Sequence, residues 1–82
     1  MNPSHSRPTP KQGQYLAFIY NYAKINGRPP AQADMQRHFR VAAPTVHQMI
    51  LKLESEGFIR RTPGVARSLE LTVDLDFVPR LE

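Results

Sequence analysis

Residues 38–50, HFRVAAPTVHQMI, carry two apolar patterns of helical spacing separated by a break too short for an ordinary loop. A chain that ends one helix and starts another within about four residues must pack the two against each other at once. Pro44 fixes where the restart falls. A proline lacks an amide donor and clashes with the preceding turn anywhere but in the first turn of a helix. RVAA is therefore the turn and APTVHQMILKLESE the following helix, stopped by Gly57. Its apolar stripe is Val46, Met49, Ile50 and Leu53.

The flanking segments are punctuated as clearly. Thr9, Pro10 and Gln12 supply an N-cap, a first-turn proline and a capping-box partner for a first helix. Tyr15, Leu16, Phe18, Ile19, Tyr22 and Ala23 repeat at helical spacing, with Ala17, Asn21 and Lys24 on the other side. Asn26-Gly27 gives a left-handed stop and Pro29-Pro30 forbids resumption. AQADMQRHF places Met35 and Phe39 on one face of a short second helix that ends near Arg40. Beyond Gly57, FIRR and RSLELTV read as two β-strands around the turn residues TPGVA. The predicted fold is α+β, mainly α: a winged helix-turn-helix, three helices followed by a two-stranded β-hairpin wing, over residues 9–73. Residues 1–8 are expected to be a flexible arm, and residues 74–82 a C-terminal extension.

At 82 residues there is room for one domain and one core. The absence of cysteine removes disulfides, thiolate metal sites and cysteine nucleophiles. His5, His38 and His47 do not form a ligand spacing, so no metal is expected. No apolar run approaches the roughly 20 residues of a membrane span, and the polar start is not of signal-peptide type. The expectation is a soluble cytoplasmic protein without membrane contact. With no paired carboxylates, phosphate-cradling glycine loop or nucleophile–base pair, neither an enzyme, a cofactor nor a small-molecule ligand is expected.

Charge is unevenly spread. Residues 1–53 hold seven lysines and arginines against Asp34 alone, a local net of +6, whereas from Ser68 onward four acids face Arg80 alone, a net of −3. A basic body suits a polyanion, because each neutralised phosphate releases condensed counterions. The third helix has the face such a partner needs. At about 100° per residue the side opposite Val46, Ile50 and Leu53 centres on Gln48, with Pro44 and Leu51 beside it and Thr45, His47 and Lys52 on its flanks. Glutamine pairs bidentately with adenine, threonine bonds a base edge or packs its methyl on thymine, and histidine donates to base or phosphate. Lys52 suits a phosphate, and Arg40 joins the set from the end of the second helix. Arg60, Arg61 and Arg67 flank an acid-free hairpin tip, a basic wing able to follow the backbone or enter the minor groove. Alternatively those arginines pair with Glu54, Glu56 and Glu70 and the hairpin only closes the core.

These residues resemble the DNA-binding domain of the LexA repressor family. TPKQGQYLAFIYNYAKINGRPP is similar to that family's first helix and its exit, VHQMILKLESEGFIRR to its recognition helix and first wing strand, and PGVARSLEL to its wing. The LE..GFI.R portion alone is shared with MarR-type winged helices; the combination from Thr9 to Val73 is the specific signal. The resemblance implies base contacts from Ala43 to Lys52 and wing positions at Arg61, Gly64 and Arg67. It implies a sequence-specific double-stranded DNA-binding protein, a small bacterial or phage transcriptional regulator. Two departures stand out. RVAAPTV is one residue shorter than the family's usual turn, so the repressor's own operator is not to be assumed. Nothing in these 82 residues corresponds to the self-cleaving peptidase domain with its Ser-Lys dyad, so autoproteolysis is not expected of this segment.

The competing reading is a winged-helix protein–protein interaction module that uses Tyr20, Ile25 or Leu51. An isolated domain covers one half-site, so a homodimer is expected to add affinity. TVDLDFVPRLE, where Val73, Leu75 and Phe77 alternate with Asp74 and Asp76, is expected to extend the wing sheet or pair with its copy. The closing Leu81-Glu82 reads as a vector-derived dipeptide.

Overall fold

The computed structural model describes residues 7–82; most of the expected N-terminal arm, residues 1–6, lies outside the described residues. Helices α1 (Pro10–Asn26), α2 (Gln32–Phe39) and α3 (Ala43–Ser55) precede strands β1 (Ile59–Arg60) and β2 (Glu70–Leu71). The strands are antiparallel, with Ile59 opposite Leu71 and Arg60 opposite Glu70. This is the three-helix, two-stranded winged fold read from the sequence, with a shorter ladder than FIRR and RSLELTV suggested.

Each helix ends where its sequence provides for the end. Thr9 Oγ1 accepts from Gln12 N at 3.1 Å and Gln12 Oε1 accepts from Thr9 N at 2.9 Å, the reciprocal capping box. Gly27 closes α1 in the left-handed region at φ 73°. At the start of α2 the Asp34 carboxylate accepts from Ala31 N at 2.8 Å. Arg40 closes α2 at φ 57°, a left-handed position unusual for a residue with a Cβ. Only Arg40, Val41 and Ala42 separate α2 from α3, and Pro44 lies in the first turn of α3. That helix ends in a Schellman motif: Phe58 N donates to Leu53 O at 2.9 Å and Gly57 N to Glu54 O at 3.0 Å. The motif turns the chain directly into β1.

The core gathers Tyr15, Leu16 and Ile19 of α1, Met35 of α2, Val46, Ile50 and Leu53 of α3, and Phe58, Ile59 and Leu69 from the wing base. Tyr15 stacks on Phe39 with centroids 4.0 Å apart. One expected face is corrected. Ala17, placed on the outer side of α1, is fully buried. The reason is the C-terminal segment, which folds back along α1. Gln14 Nε2 donates to Arg80 O at 3.1 Å, and Glu82 N donates to Gln14 Oε1 at 2.9 Å. Pro79 sits so close to Gly13 that an added Cβ would lie 2.9 Å from its Cγ. Val78 and Leu81 pack on the core, so Leu81, read from the sequence as part of a vector-derived dipeptide, contributes to packing.

The expected third strand does not form. Asp74 accepts from Asp76 N at 3.0 Å and starts a 3-10 turn over Leu75–Phe77. Short acidic side chains compete with a ladder by bonding their own backbone, and Pro79 has no donor to offer one. Leu75 and Phe77, whose alternation with Asp74 and Asp76 suggested a strand, are 53% and 38% exposed. The sheet stays two-stranded. Arg7, assigned to the arm, lies over the Phe77 ring, 5.0 Å from its centroid.

Candidate nucleic-acid interface

Helical periodicity divides α3 into two sides. Val46, Ile50 and Leu53 are fully buried, while Ala43, Pro44, Thr45, His47, Gln48, Leu51 and Lys52 are exposed. From Ala43 to Leu53 the helix carries no acid, so its outer face is neutral to basic over that stretch. Lys52 pairs with Glu56 at 3.1 Å and remains largely in solvent, where such a pair contributes little. Leu51, at 39% exposure, sits among these polar residues. Arg40 is exposed at the left-handed end of α2, separated from α3 by Val41 and Ala42.

The wing tip is a tight turn. Val65 N donates to Thr62 O at 3.1 Å across Pro63-Gly64, with Gly64 at φ 77°, the position where a type II turn requires glycine. Ser68 Oγ accepts from Thr62 N at 2.9 Å and donates to Val65 O at 2.9 Å, tying the two legs together below the tip. Arg60 Nε donates to Glu70 Oε1 at 2.7 Å across the ladder. Arg61 Nε donates to Glu54 Oε1 at 3.2 Å and fastens the outgoing leg to the last turn of α3. Two of the three pairings weighed as the alternative to a free basic wing are thus present, and both involve partly exposed side chains.

Arg67 occupies a different place from the other two. Its backbone is left-handed at φ 54°, and its guanidinium points into the domain. Nη1 donates to Asp34 Oδ2 at 3.0 Å, Tyr22 Oη at 3.2 Å and Pro29 O at 3.4 Å. Asp34 is 8% exposed and also accepts from Arg37. The Ala31 amide, and then the charges of Arg67 and Arg37, hold its carboxyl below the ordinary value of 3.8 against the opposite push of burial. The Arg67 pKa is raised in turn, chiefly by the Tyr22 hydroxyl.

The expected site residues therefore separate into groups. Thr45, His47, Gln48 and Lys52 share the outer side of α3, Ala43 is exposed as its first residue in line with the buried stripe, and Arg40 lies just before it. Arg60, Arg61 and Gly64 belong to the wing, and Arg67 is turned toward α1 and α2. Sequence reasoning missed Asp34 and Tyr22 as partners of the wing. A signal was present: Asp34 is the only acid in residues 1–53 and stands in the first turn after Pro29-Pro30.

The LexA DNA binding domain family matches residues 5–68, from before the α1 cap to the base of the wing. The chain belongs to the LexA DNA-binding domain family. Among curated proteins it is similar to the LexA repressor of Thermosipho melanesiensis, 38% identical over 63 residues that cover 77% of this chain and 32% of that protein. The LexA repressor of Magnetococcus marinus is 36% identical over 63 residues, 77% of this chain and 27% of that protein. The chain spans about a third or less of the length of these relatives. In this LexA-type domain the matched span contains α3, the wing tip and both partners of the Asp34–Arg67 pair, whereas the C-terminal fold-back onto Gly13 and Gln14 lies beyond it. No helix among the described residues is long and apolar enough to cross a membrane.

Proposed function

We propose that this chain is a sequence-specific double-stranded DNA-binding transcriptional regulator, with α3 in the major groove and the wing against the backbone or minor groove. The observation that carries the reading is the exposed, acid-free side of α3 from Ala43 to Lys52 on a domain of LexA type. Gln48 stands at its centre, where a bidentate pair with adenine has the reach and donor–acceptor pattern required. Thr45 and His47 flank it with a hydroxyl and an imidazole, and Lys52 and Arg40 supply positive charge at either end for phosphates. Arg60, Arg61 and the Gly64 turn present the second contact.

Selection of bound duplexes from a random-sequence library tests this directly. The expected result is one enriched motif, and a two-fold symmetric motif would mark two copies bound side by side. Failure to enrich any motif would favour an interaction module that uses the exposed Ile25 and Leu51 instead.

A further inference from the structure

We propose that Asp34 and Arg67 form a clamp that sets the direction of the wing, and that DNA affinity depends on this clamp although neither side chain reads DNA. The inference rests on the DNA-binding reading given above. Three observations carry it. The wing re-enters the body through Arg67 in the left-handed region, where a Cβ crowds the following carbonyl oxygen. Such a backbone persists where the surroundings over-determine it. Those surroundings are identifiable: one guanidinium nitrogen gathers oxygens from Tyr22 in α1, Pro29 in the link and Asp34 in α2.

The second observation is the state of the acceptor. Asp34 is nearly buried, and its carboxylate is already fixed by the Ala31 amide and by Arg37. The wing thus docks onto a charge whose position the helices determine. The third is the wing's own weakness. Its ladder pairs two residues with two, too little to hold the tip by itself. One leg is tied to α3 by Arg61 and Glu54, whose side chains are 30% and 35% exposed. The other leg has the better-buried anchor, with Asp34 at 8%, and a partly buried pair is screened less by solvent and salt than an exposed one. Arg67 and Asp34 are positioning residues: they hold Arg60, Arg61 and Gly64 where DNA meets them.

Asp34→Asn separates this from simple electrostatics, because the two ideas predict opposite signs. Removing an acid from a DNA-binding protein raises affinity if charge alone matters. Loosening the clamp lowers it. Wild type, Asp34→Asn and Arg67→Lys of the full chain are titrated with a short mixed-sequence duplex, and amide hydrogen exchange is followed without DNA. The clamp predicts about tenfold weaker binding by Asp34→Asn, the loss of one charge-assisted bond. It predicts faster exchange at residues 62–68 with the amides of Ile50 and Leu53 unchanged. Arg67→Lys keeps the charge but ends one atom short of Nη1, away from the Tyr22, Pro29 and Asp34 oxygens, so it too is expected to bind more weakly with a faster-exchanging wing. Unchanged or tighter binding by Asp34→Asn, with wild-type exchange in the wing, would overturn the proposal. Should Asp34→Asn loosen the core as well, Arg67→Lys decides: wild-type affinity would mean a direct phosphate contact and no clamp. Absence of DNA binding by the wild type would reject the DNA reading, and wing exchange in the variants would then decide the clamp by itself.

Discussion

Gln48 and Gly13 show how much a single position determines here, one through what it leaves open and the other through what it lets in. On the outer side of α3, Gln48→Ala removes a bidentate partner without touching the buried stripe. The expected outcome is a loss of roughly 1–3 kcal/mol on the selected site, relaxed preference at about one base pair and little change on random DNA, all read by competition titration. On α1, Gly13→Ala gains about 1 kcal/mol of helix propensity but forces its Cβ against Pro79, and overpacking of that kind costs typically 1–3 kcal/mol. Thermal unfolding of a double-mutant cycle is expected to show a sign reversal: destabilising with Pro79 present, stabilising in a Pro79→Ala background. Gln48 was legible because periodicity alone puts it opposite Val46 and Ile50. Arg67 was not. Its composition and place in a hairpin read as a phosphate contact, and nothing local reveals that its backbone turns left-handed toward an acid 33 residues earlier.

At the scale of elements, the helices were legible to within a residue because each carries its own punctuation: the Thr9–Gln12 box, Gly27, Pro44 and the Gly57 stop. The strands were legible in type but not in length, since two residues of ladder are set by where the Ser68 bridge and the tip turn begin. The C-terminal segment was misread because alternation of Val73, Leu75 and Phe77 mimics a strand, while Asp74 and Pro79 decide against one. The joint between α2 and the wing carries a pH dependence whose sign follows from Asp34. Its carboxyl is held below the unfolded value of 3.8, so the ionised form stabilises the fold. That contribution is complete at neutral pH, remains so down to the unfolded value, and is lost as the pH falls through the folded-state pKa. Denaturant unfolding as a function of pH is expected to show a decline below about pH 4 that is shallower in Asp34→Asn. An identical acid limb in both proteins would remove Asp34 from the account.

For the whole molecule, a basic body formed by residues 1–53 and a C-terminal segment with excess acid give the domain two electrostatic sides in sequence terms. If α3 and the wing meet phosphates, log K for duplex DNA falls by about 0.9 per phosphate contact for each log unit of salt. Affinity independent of salt would contradict the electrostatic part of the account. Whether α3 and the wing are the DNA-binding face is decided by mapping backbone amide shifts as a selected duplex is added to the labelled protein. The largest changes are expected at Thr45, His47, Gln48 and Lys52 and along the wing from Arg60 to Gly64, with the fold-back around Gly13 and Pro79 quiet. Large changes confined to the Tyr20, Ile25 and Leu75 side, with α3 unmoved, would contradict that assignment.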